Sequence, residues 1–169
     1  MSEFLRDTRL LARSFKKLLV ALKPPSDPLI VCEITGAWVF SLLIDLFPEY
    51  TQHIYVSDSM YRLTTIGEIR RFVKWSRVDK YPWIADWHDC DDHAEGLAGD
   101  FANAPPVWSS LPTGSIWAIM GIGHHAFFIA IACESLEDPT PRPYYFEPQD
   151  DGEYAPEMVE DMVLTQLRV

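Results

Sequence analysis

Near the N-terminus, apolar residues recur at the three- and four-residue spacing of one helix face. The stripe runs from Leu5 to Leu22 and is interleaved with arginines and lysines. Ser2 can cap this segment, and the Pro-Pro pair at 24–25 stops it. The pattern predicts an amphipathic N-terminal helix within residues 1–27, and its basic face is predicted to be solvated.

The middle of the chain alternates β-prone runs with helical spacing. Short extended segments are predicted at residues 29–33, 54–56 and 61–63, and a helix is predicted at 37–47. Thr65 followed by Glu68 forms a capping box, which predicts a second helix to about Val78. Cys32 lies among aliphatic residues, so it is predicted to be a buried thiol.

A third helical pattern begins after Asp89. Its apolar face is formed by Cys90, Ala94, Leu97 and Phe101, which are spaced four, seven and eleven residues from the cysteine. The run 103–106, which contains two prolines, ends this helix. Cys90 is therefore predicted to stand at a helix N-terminus, at the head of the face that packs on the core.

Two apolar runs predict a β-hairpin in the second half of the chain. They cover residues 115–120 and 124–133 and are separated by Gly121-Ile122-Gly123. The second run is apolar on both faces, which is typical of a buried central strand, and it contains Cys133. Further strands are predicted at 144–147 and 162–169, with a proline-rich loop at 136–143. Along the chain the predicted helices come first and most strands later, an order that favours the α+β class.

Composition narrows the class of protein. A length of 169 residues predicts one domain over residues 1–169. The net charge of −11 disfavours nucleic acid or an anionic membrane as a partner. The N-terminus does not resemble a secretory signal, and the longest charge-free apolar run, residues 34–44, is too short to span a bilayer. Three cysteines without clustered spacing fit a reducing compartment, so a cytoplasmic location is predicted, while the oligomeric state stays open.

The candidate chemistry centres on Cys90. A helix N-terminus lowers the pKa of a thiol, and the thiolate is the nucleophilic form. His124 or His125 on the predicted central strand supplies an imidazole base, and Glu147 on the next strand supplies a carboxylate that can orient it. Adjacent strand residues point to opposite faces, so only one of the two histidines is expected to approach Cys90.

Three segments together resemble a known family. They are Asp89-Cys90-Asp91-Asp92-His93-Ala94, Gly123-His124-His125-Ala126 and Glu147-Pro148-Gln149. In this order they resemble the papain-like peptidase domain at the C-terminus of the galactose-binding agglutinin of fairy-ring mushrooms, and its stand-alone bacterial and phage relatives. The similarity covers roughly residues 55–155, a motif-bearing core that leaves the N-terminal helix outside.

The resemblance implies a papain-like fold, with a cysteine-bearing helix packed on an antiparallel sheet. It implies a thiol protease that hydrolyses a protein or peptide with a Cys-His-Glu triad. In this chain the nucleophile is then Cys90, the base His125 and the orienting acid Glu147. One departure is that residues 80–89 contain no glutamine for the oxyanion hole.

The resemblance also implies calcium dependence. Acidic residues crowd the thiol, and their negative charge disfavours a thiolate unless a cation neutralises it. The predicted calcium ligands are Asp86, Asp91, Asp92 and Gln149, although their spacing does not match an EF-hand loop. The alternative is that these acids cap the helix and face water.

Two other functions compete with the protease. One is a catalytically inactive papain-like binding or inhibitory module, because fold does not fix function. The other is a zinc site made by His88, Cys90 and His93 together with one of the paired histidines. Trp83, Trp87 and His124 are the candidate substrate-binding residues, and packing in the core is the alternative for the two tryptophans.

Overall fold

The computed structural model describes residues 25–84, 89–121, 123–159 and 161–169. The predicted N-terminal helix lies outside this part of the chain, and so do Asp86, Trp87 and His88. None of the described helices is long and apolar enough to cross a membrane.

The described elements are three α-helices and eight β-strands. The helices are α1 (Gly36–Leu46), α2 (Ile66–Val73) and α3 (Cys90–Ala102). The strands are β1 (Ile30–Thr35), β2 (Ile54–Tyr55), β3 (Met60–Thr64), β4 (Thr113–Met120), β5 (Gly123–Cys133), β6 (Pro141–Glu147), β7 (Gly152–Tyr154) and β8 (Val163–Arg168). Short 3₁₀ helices occupy Pro48–His53, Val78–Lys80 and Pro156–Met158.

Six strands form one large sheet in the order β2-β8-β4-β5-β6-β7. All neighbouring pairs are antiparallel except β2 with β8, which is parallel. Strands β1 and β3 form a separate antiparallel pair. The prediction of a mixed helix and sheet protein is confirmed, and its large sheet is mostly antiparallel. The predicted hairpin is the β4–β5 pair. The helices do not precede all the strands, since β1 comes before α1.

Strand β5 lies between two hydrophobic clusters. Its residues from Ala126 to Cys133 are all fully buried. Side chains alternate along a strand, so one face contributes to the cluster with α1, and the other to the cluster with α2 and α3. The first face carries Phe127, Ile129, Ile131 and Cys133, and the second carries Phe128, Ala130 and Ala132. The prediction of a central strand buried on both faces is confirmed.

Helix α3 packs on β4 and β5 through the predicted apolar face. Ala94, Leu97 and Phe101 are buried, and the Phe101 ring stacks on Phe128 of β5 with centroids 5.2 Å apart. This packing fixes the helix, and it places the first residue of α3, Cys90, near the N-terminal end of β5.

Three local predictions need correction. Helix α2 ends at Val73 and not near Val78, because Ser76 Oγ donates to Asp100 of α3 at 2.6 Å and the chain turns there. Strand β6 begins at Pro141, inside the predicted loop. The outer edge of β6 is not paired with β7 at this point, and proline is tolerated at an unpaired strand edge. Cys32 is exposed, because β1 belongs to the small two-stranded sheet.

We expect Gly114→Ala to destabilise the protein. A Cβ at this position would lie 1.7 Å from the Arg168 carbonyl oxygen of β8, so the β4–β8 pair would have to separate. The expected loss is about 1–3 kcal/mol in the free energy of unfolding, measured by urea denaturation.

Gly99→Ala is the matched control. A Cβ at Gly99 meets no atom within 4 Å, and the residue lies inside α3. Alanine is the better helix former, so a gain of up to about 1 kcal/mol is expected. Equal effects of the two substitutions would contradict this account of the β4–β8 contact.

Candidate functional site

A cleft of about 270 Å³ lies where the N-terminus of α3 meets β4, β5 and β8. We call it the Cys90 cleft. Its walls are formed by Asp89, Cys90, Asp91, Trp117, Ala118, His124, His125, Ala126 and Thr165. The structure therefore brings the predicted residues Cys90, His124 and His125 to one site.

Strand pairing places the histidines at this cleft. His125 is opposite Ala118 of β4, and His124 is opposite Ile119. Strand β6 pairs with β5 only from Phe128 to Cys133, so the histidine end of β5 extends beyond β6. That uncovered end lines the cleft together with Cys90.

His125 is held by a carboxylate and a phenol. Its Nε2 lies 2.7 Å from Glu147 Oε2 and 3.0 Å from Tyr154 Oη, and Tyr154 Oη donates to the same Glu147 oxygen at 2.6 Å. The imidazole and carboxylate side chains are 11% and 18% exposed. The predicted contact of Glu147 with a histidine thus exists, and it selects His125 over His124.

Tyr154 is a site residue that the sequence reasoning missed. A signal was available in the register of the β6–β7 hairpin. Gly152 is opposite Glu147 and Tyr154 is opposite Tyr145, so Tyr154 lies diagonal to Glu147 on the same face of the sheet.

The environment of Glu147 favours its charged form. Burial acts to raise the pKa of this carboxyl, but hydrogen bonds from His125, Tyr154 and the Gln149 backbone N–H outweigh it and hold the pKa below its ordinary value. Burial, followed by the hydrogen bond to Glu147, raises the pKa of the Tyr154 hydroxyl. Glu147 is therefore ionised at neutral pH, and Tyr154 keeps its proton.

The surroundings of Cys90 disfavour ionisation of its thiol. Burial raises its pKa first, and the nearby charges of Asp89 and Asp91 raise it further. The backbone N–H of Ala126 and that of Cys90 itself lower it, but they do not compensate. Among the described residues, no hydrogen bond joins the sulfur to either histidine. The predicted pKa lowering by the helix N-terminus is thus overcome, and the thiol is neutral at neutral pH.

Asp89 precedes α3 as its N-cap residue, but its side chain makes no capping hydrogen bond. It is hydrogen-bonded to Asp91, and this contact is the main reason why the pKa of Asp91 is raised. Potential ligand atoms of Asp89, Cys90 and Asp91 all lie within 4.8 Å of one another. Of the predicted calcium ligands, this described group contains only Asp91.

His93 is part of the core. It is 1% exposed, its Nδ1 lies 2.7 Å from the Asp89 carbonyl oxygen, and its Nε2 lies 3.2 Å from the Tyr81 carbonyl oxygen. Both ring nitrogens therefore face carbonyls of the chain and not a metal. Of the predicted zinc ligands, His93 is therefore not positioned to bind a metal, and His88 lies outside the described residues.

The predicted substrate-binding residues have different positions. His124 lines the Cys90 cleft, whereas Trp83 is 57% exposed and is not among the residues of its wall. Trp117 and Thr165, which the sequence reasoning did not select, do line it. The Arg168 guanidinium lies 5.6 Å from the centroid of the Trp117 ring and packs over it.

A second cavity is larger, but its wall lacks the imidazole and thiol groups of the Cys90 cleft. It encloses about 700 Å³, and its wall includes Phe47, Tyr145 and Met162. None of the described catalytic or metal-site candidates lies in its wall. We therefore assign the candidate functional site to the Cys90 cleft, where imidazole, thiol and carboxylate groups converge.

No protein-family model matches the chain, and no curated protein matches it by sequence. Solved structures do share its fold. PSL1a in its complex with E64 has a TM-score of 0.64 and 24% sequence identity, over 81% of this chain and 51% of that chain.

The Polyporus squamosus lectin, bound to the human-type influenza-binding epitope Neu5Acα2-6Galβ1-4GlcNAc, has a TM-score of 0.63 and 23% identity. The match covers 81% of this chain and 49% of the lectin. The chain thus spans about half the length of each solved chain, and the likeness establishes a shared fold.

These neighbours overturn the predicted family. The Polyporus squamosus neighbour is named as a lectin and neither neighbour is named as a peptidase, so the prediction of a papain-like peptidase is wrong. The predictions that follow from it are wrong for the same reason: a thiol protease, a hydrolytic activity and a protein or peptide substrate.

We expect Glu147→Gln to destabilise the protein at neutral pH by about 1–3 kcal/mol, because hydrogen bonds to a charged group are lost. The folded-state pKa of Glu147 is lowered, so its stabilising effect exists above the unfolded-state pKa. The effect disappears as the pH falls below about 4. Urea denaturation of both proteins across this pH range measures the difference.

Glu157→Gln is the control for that comparison, since Glu157 is exposed. It should change the free energy of unfolding by less than about 0.5 kcal/mol at every pH. A Glu147→Gln effect that stays constant down to acid pH would contradict the assigned hydrogen bonds.

Alkylation by iodoacetamide should report the field around Cys90. Its rate is expected to rise with pH to a midpoint above that of a free thiol, about 8.5. Asp91→Asn should move this midpoint down, because it removes one charge that opposes the thiolate. Peptide mapping by mass spectrometry separates Cys90 from exposed Cys32, and buried Cys133 should stay unlabelled. A Cys90 midpoint below that of a free thiol would contradict the assignment.

Proposed function

We propose that the chain is a non-catalytic binding module whose Cys90 cleft takes a neutral, hydroxyl-rich ligand such as a galactose-containing sugar. The observation that carries the proposal is the make-up of the cleft. One indole, one threonine hydroxyl, two imidazoles and two carboxylates line a single small cavity. The Polyporus squamosus lectin, a fold neighbour, supports the sugar class because it is bound to a glycan that contains galactose.

The polar groups of the cleft match the two-way hydrogen bonding of sugar hydroxyls. Asp89 and Asp91 offer acceptor oxygens, and His124 offers a ring nitrogen. Thr165 Oγ1 donates to the Trp117 carbonyl at 2.9 Å, which leaves its oxygen as an acceptor. A few fixed polar groups of this kind set orientation and specificity in small-molecule sites.

The indole of Trp117 supplies the apolar part of the site. Arg168 packs over this ring, with its guanidinium carbon 5.6 Å from the ring centroid, and this contact favours an ordered ring. A ring that is already ordered loses little entropy when a sugar face packs on it.

Charge argues for a neutral sugar. The cleft holds Asp89 and Asp91, and the whole chain has a net charge of −11. In the cation-free cleft, a ligand carboxylate would be repelled in this field. We therefore propose that the ligand is neutral, unlike the sialylated end of the epitope bound by the Polyporus lectin.

In this proposal His125 binds the ligand, Glu147 positions the His125 ring, and Cys90 lines the cleft without a required contact to the sugar. The neutral thiol is a poor nucleophile, while Glu147 and Tyr154 hold the His125 ring in a fixed position for a hydrogen bond to a ligand. The finer fold prediction, a papain-like core, stays a prediction on which this function does not depend.

Calcium also stays a proposal, and the clustered ligand atoms of Asp89, Cys90 and Asp91 favour a cation at the mouth of the cleft. The carboxylates suit calcium, whereas the thiol is a soft donor that does not. When bound, the ion would neutralise the charge of the two carboxylates. The cytoplasmic location likewise stays a prediction, which the three free cysteines favour.

Calorimetric titration with N-acetyllactosamine tests the proposal. We expect saturable binding with a dissociation constant of about 1 mM, or about −4 kcal/mol, as suits a small open site. The α2-6-sialylated form should bind more weakly because of charge repulsion. Trp117→Ala should weaken binding at least about tenfold. Trp38→Ala is the control, because Trp38 is a partly exposed tryptophan on α1, away from the cleft.

Cys90→Ala separates binding from catalysis. The variant should bind the sugar within about twofold of the wild type. The wild type and this variant should hydrolyse casein and fluorogenic peptides at the same background rate. Hydrolysis that Cys90→Ala abolishes would overturn the non-catalytic proposal, and identical sugar binding by Trp117→Ala and wild type would overturn the assigned site.

A further inference from the structure

The larger cavity, of about 700 Å³, lies between the end of α1, the start of β6 and the segment that leads into β8. Apolar side chains form most of its wall, among them Leu46, Phe47, Val159 and Met162. Its volume is within the range of small-molecule sites, which are mostly apolar and carry a few placed polar groups. The cavity is separate from the Cys90 cleft, since the two walls share no residue.

Three prolines stiffen this wall. Pro48 and Pro156 begin the 3₁₀ helices Pro48–His53 and Pro156–Met158, and Pro143 lies in β6. Proline fixes its own φ and has no backbone N–H, so these positions are restricted in conformation and offer no backbone donor. A site whose wall is already ordered loses little entropy when a ligand enters.

Tyr145 is a buried polar residue of the wall, and its hydroxyl has no partner among the described residues. The residue is 6% exposed, and its ring packs edge-to-face with Phe127, with centroids 6.1 Å apart. The neighbouring Tyr144 hydroxyl, in contrast, donates to Glu134 Oε2 at 2.8 Å. Tyr145 Oη is also not one of the polar atoms that are cut off from all accessible space. The hydroxyl therefore opens onto the cavity that its side chain lines.

This hydroxyl is a hydrogen-bond donor. Burial raises the pKa of Tyr145, and neither a hydrogen bond nor a nearby charge offsets the effect. The phenol thus keeps its proton at neutral pH, and a buried donor without an acceptor is costly. The cavity offers one fixed donor in otherwise apolar surroundings.

The charged residues of the wall disfavour an anionic ligand. Glu49 and Asp161 are exposed carboxylates, whereas the Arg142 guanidinium is already paired with Asp138 at 2.9 Å. The net charge of −11 acts in the same direction. A cationic ligand would lose its hydration in a cavity whose carboxylates are exposed and not buried.

We propose that this cavity binds a neutral, largely apolar small molecule whose carbonyl oxygen accepts a hydrogen bond from Tyr145 Oη. The apolar part of the molecule packs on side chains such as Phe47 and Met162, and the carbonyl satisfies the unpartnered hydroxyl. This site is a second one, and it does not depend on the proposed sugar binding in the Cys90 cleft.

Fluorescence titration of the full chain with Nile red, a neutral apolar dye that carries a carbonyl, tests the proposal. Saturable binding is expected, with a dissociation constant of about 10 μM. Tyr145→Phe should weaken binding about threefold or more, because it removes only the hydroxyl. Leu46→Trp should weaken it at least about tenfold, because Leu46 is 41% exposed and the larger side chain would occupy the cavity.

The matched controls are Tyr144→Phe and Leu29→Trp, which change a neighbouring tyrosine and an exposed leucine outside the wall. Both should bind Nile red within about twofold of the wild type, and circular dichroism should show that all variants are folded. N-acetyllactosamine should not displace the dye, whatever its own affinity for the Cys90 cleft.

Equal binding by wild type and Tyr145→Phe would overturn the proposal, even if Leu46→Trp abolished binding. A wild type that does not bind Nile red saturably would also overturn it. So would tighter binding of the anionic dye 1-anilinonaphthalene-8-sulfonate than of Nile red, because the charge of the wall predicts the opposite order.

Discussion

The burial of β5 on both faces is the constraint on which the rest of the structure depends. A strand that is apolar on both sides needs cover on both sides. Helix α1 belongs to the cluster on one side, and α2 and α3 belong to the cluster on the other. Because β6 covers only the later part of β5, the first residues of the strand project beyond the sheet partner. The packed core thus fixes where His124 and His125 can stand, and the N-terminus of α3 is brought to meet them.

Electrostatics then decides what this arrangement can do. Asp89 and Asp91 stand where the helix N-terminus would otherwise favour a thiolate, and burial adds to their effect on Cys90. On the other side of the cleft, Glu147 is held in its charged form and fixes the ring of His125. The result is a rigid set of hydrogen-bonding groups around a neutral thiol, which suits binding better than nucleophilic attack.

The sequence was informative where local pattern decides structure. Helical spacing predicted the packed face of α3, and apolar runs around Gly121 and Gly123 predicted the β4–β5 hairpin. Residues brought together by pairing between distant strands were harder to foresee. Trp117 and Thr165 enter the cleft only because β4 pairs with both β5 and β8. Cys32 has an aliphatic neighbourhood in sequence, yet its strand lies outside the large sheet. The three-segment resemblance selected Cys90, His125 and Glu147 of the candidate site but predicted the wrong class of protein.

The most direct test of the account is an NMR titration of the isotope-labelled protein with N-acetyllactosamine, which shows where the ligand lies. Shift changes should concentrate on the walls of the Cys90 cleft, at Asp89 to Asp91, the indole N–H of Trp117, His124 and Thr165. The sugar should also stay intact throughout. Shift changes centred on the larger cavity around Phe47, Tyr145 and Met162, or no saturable changes at all, would contradict it.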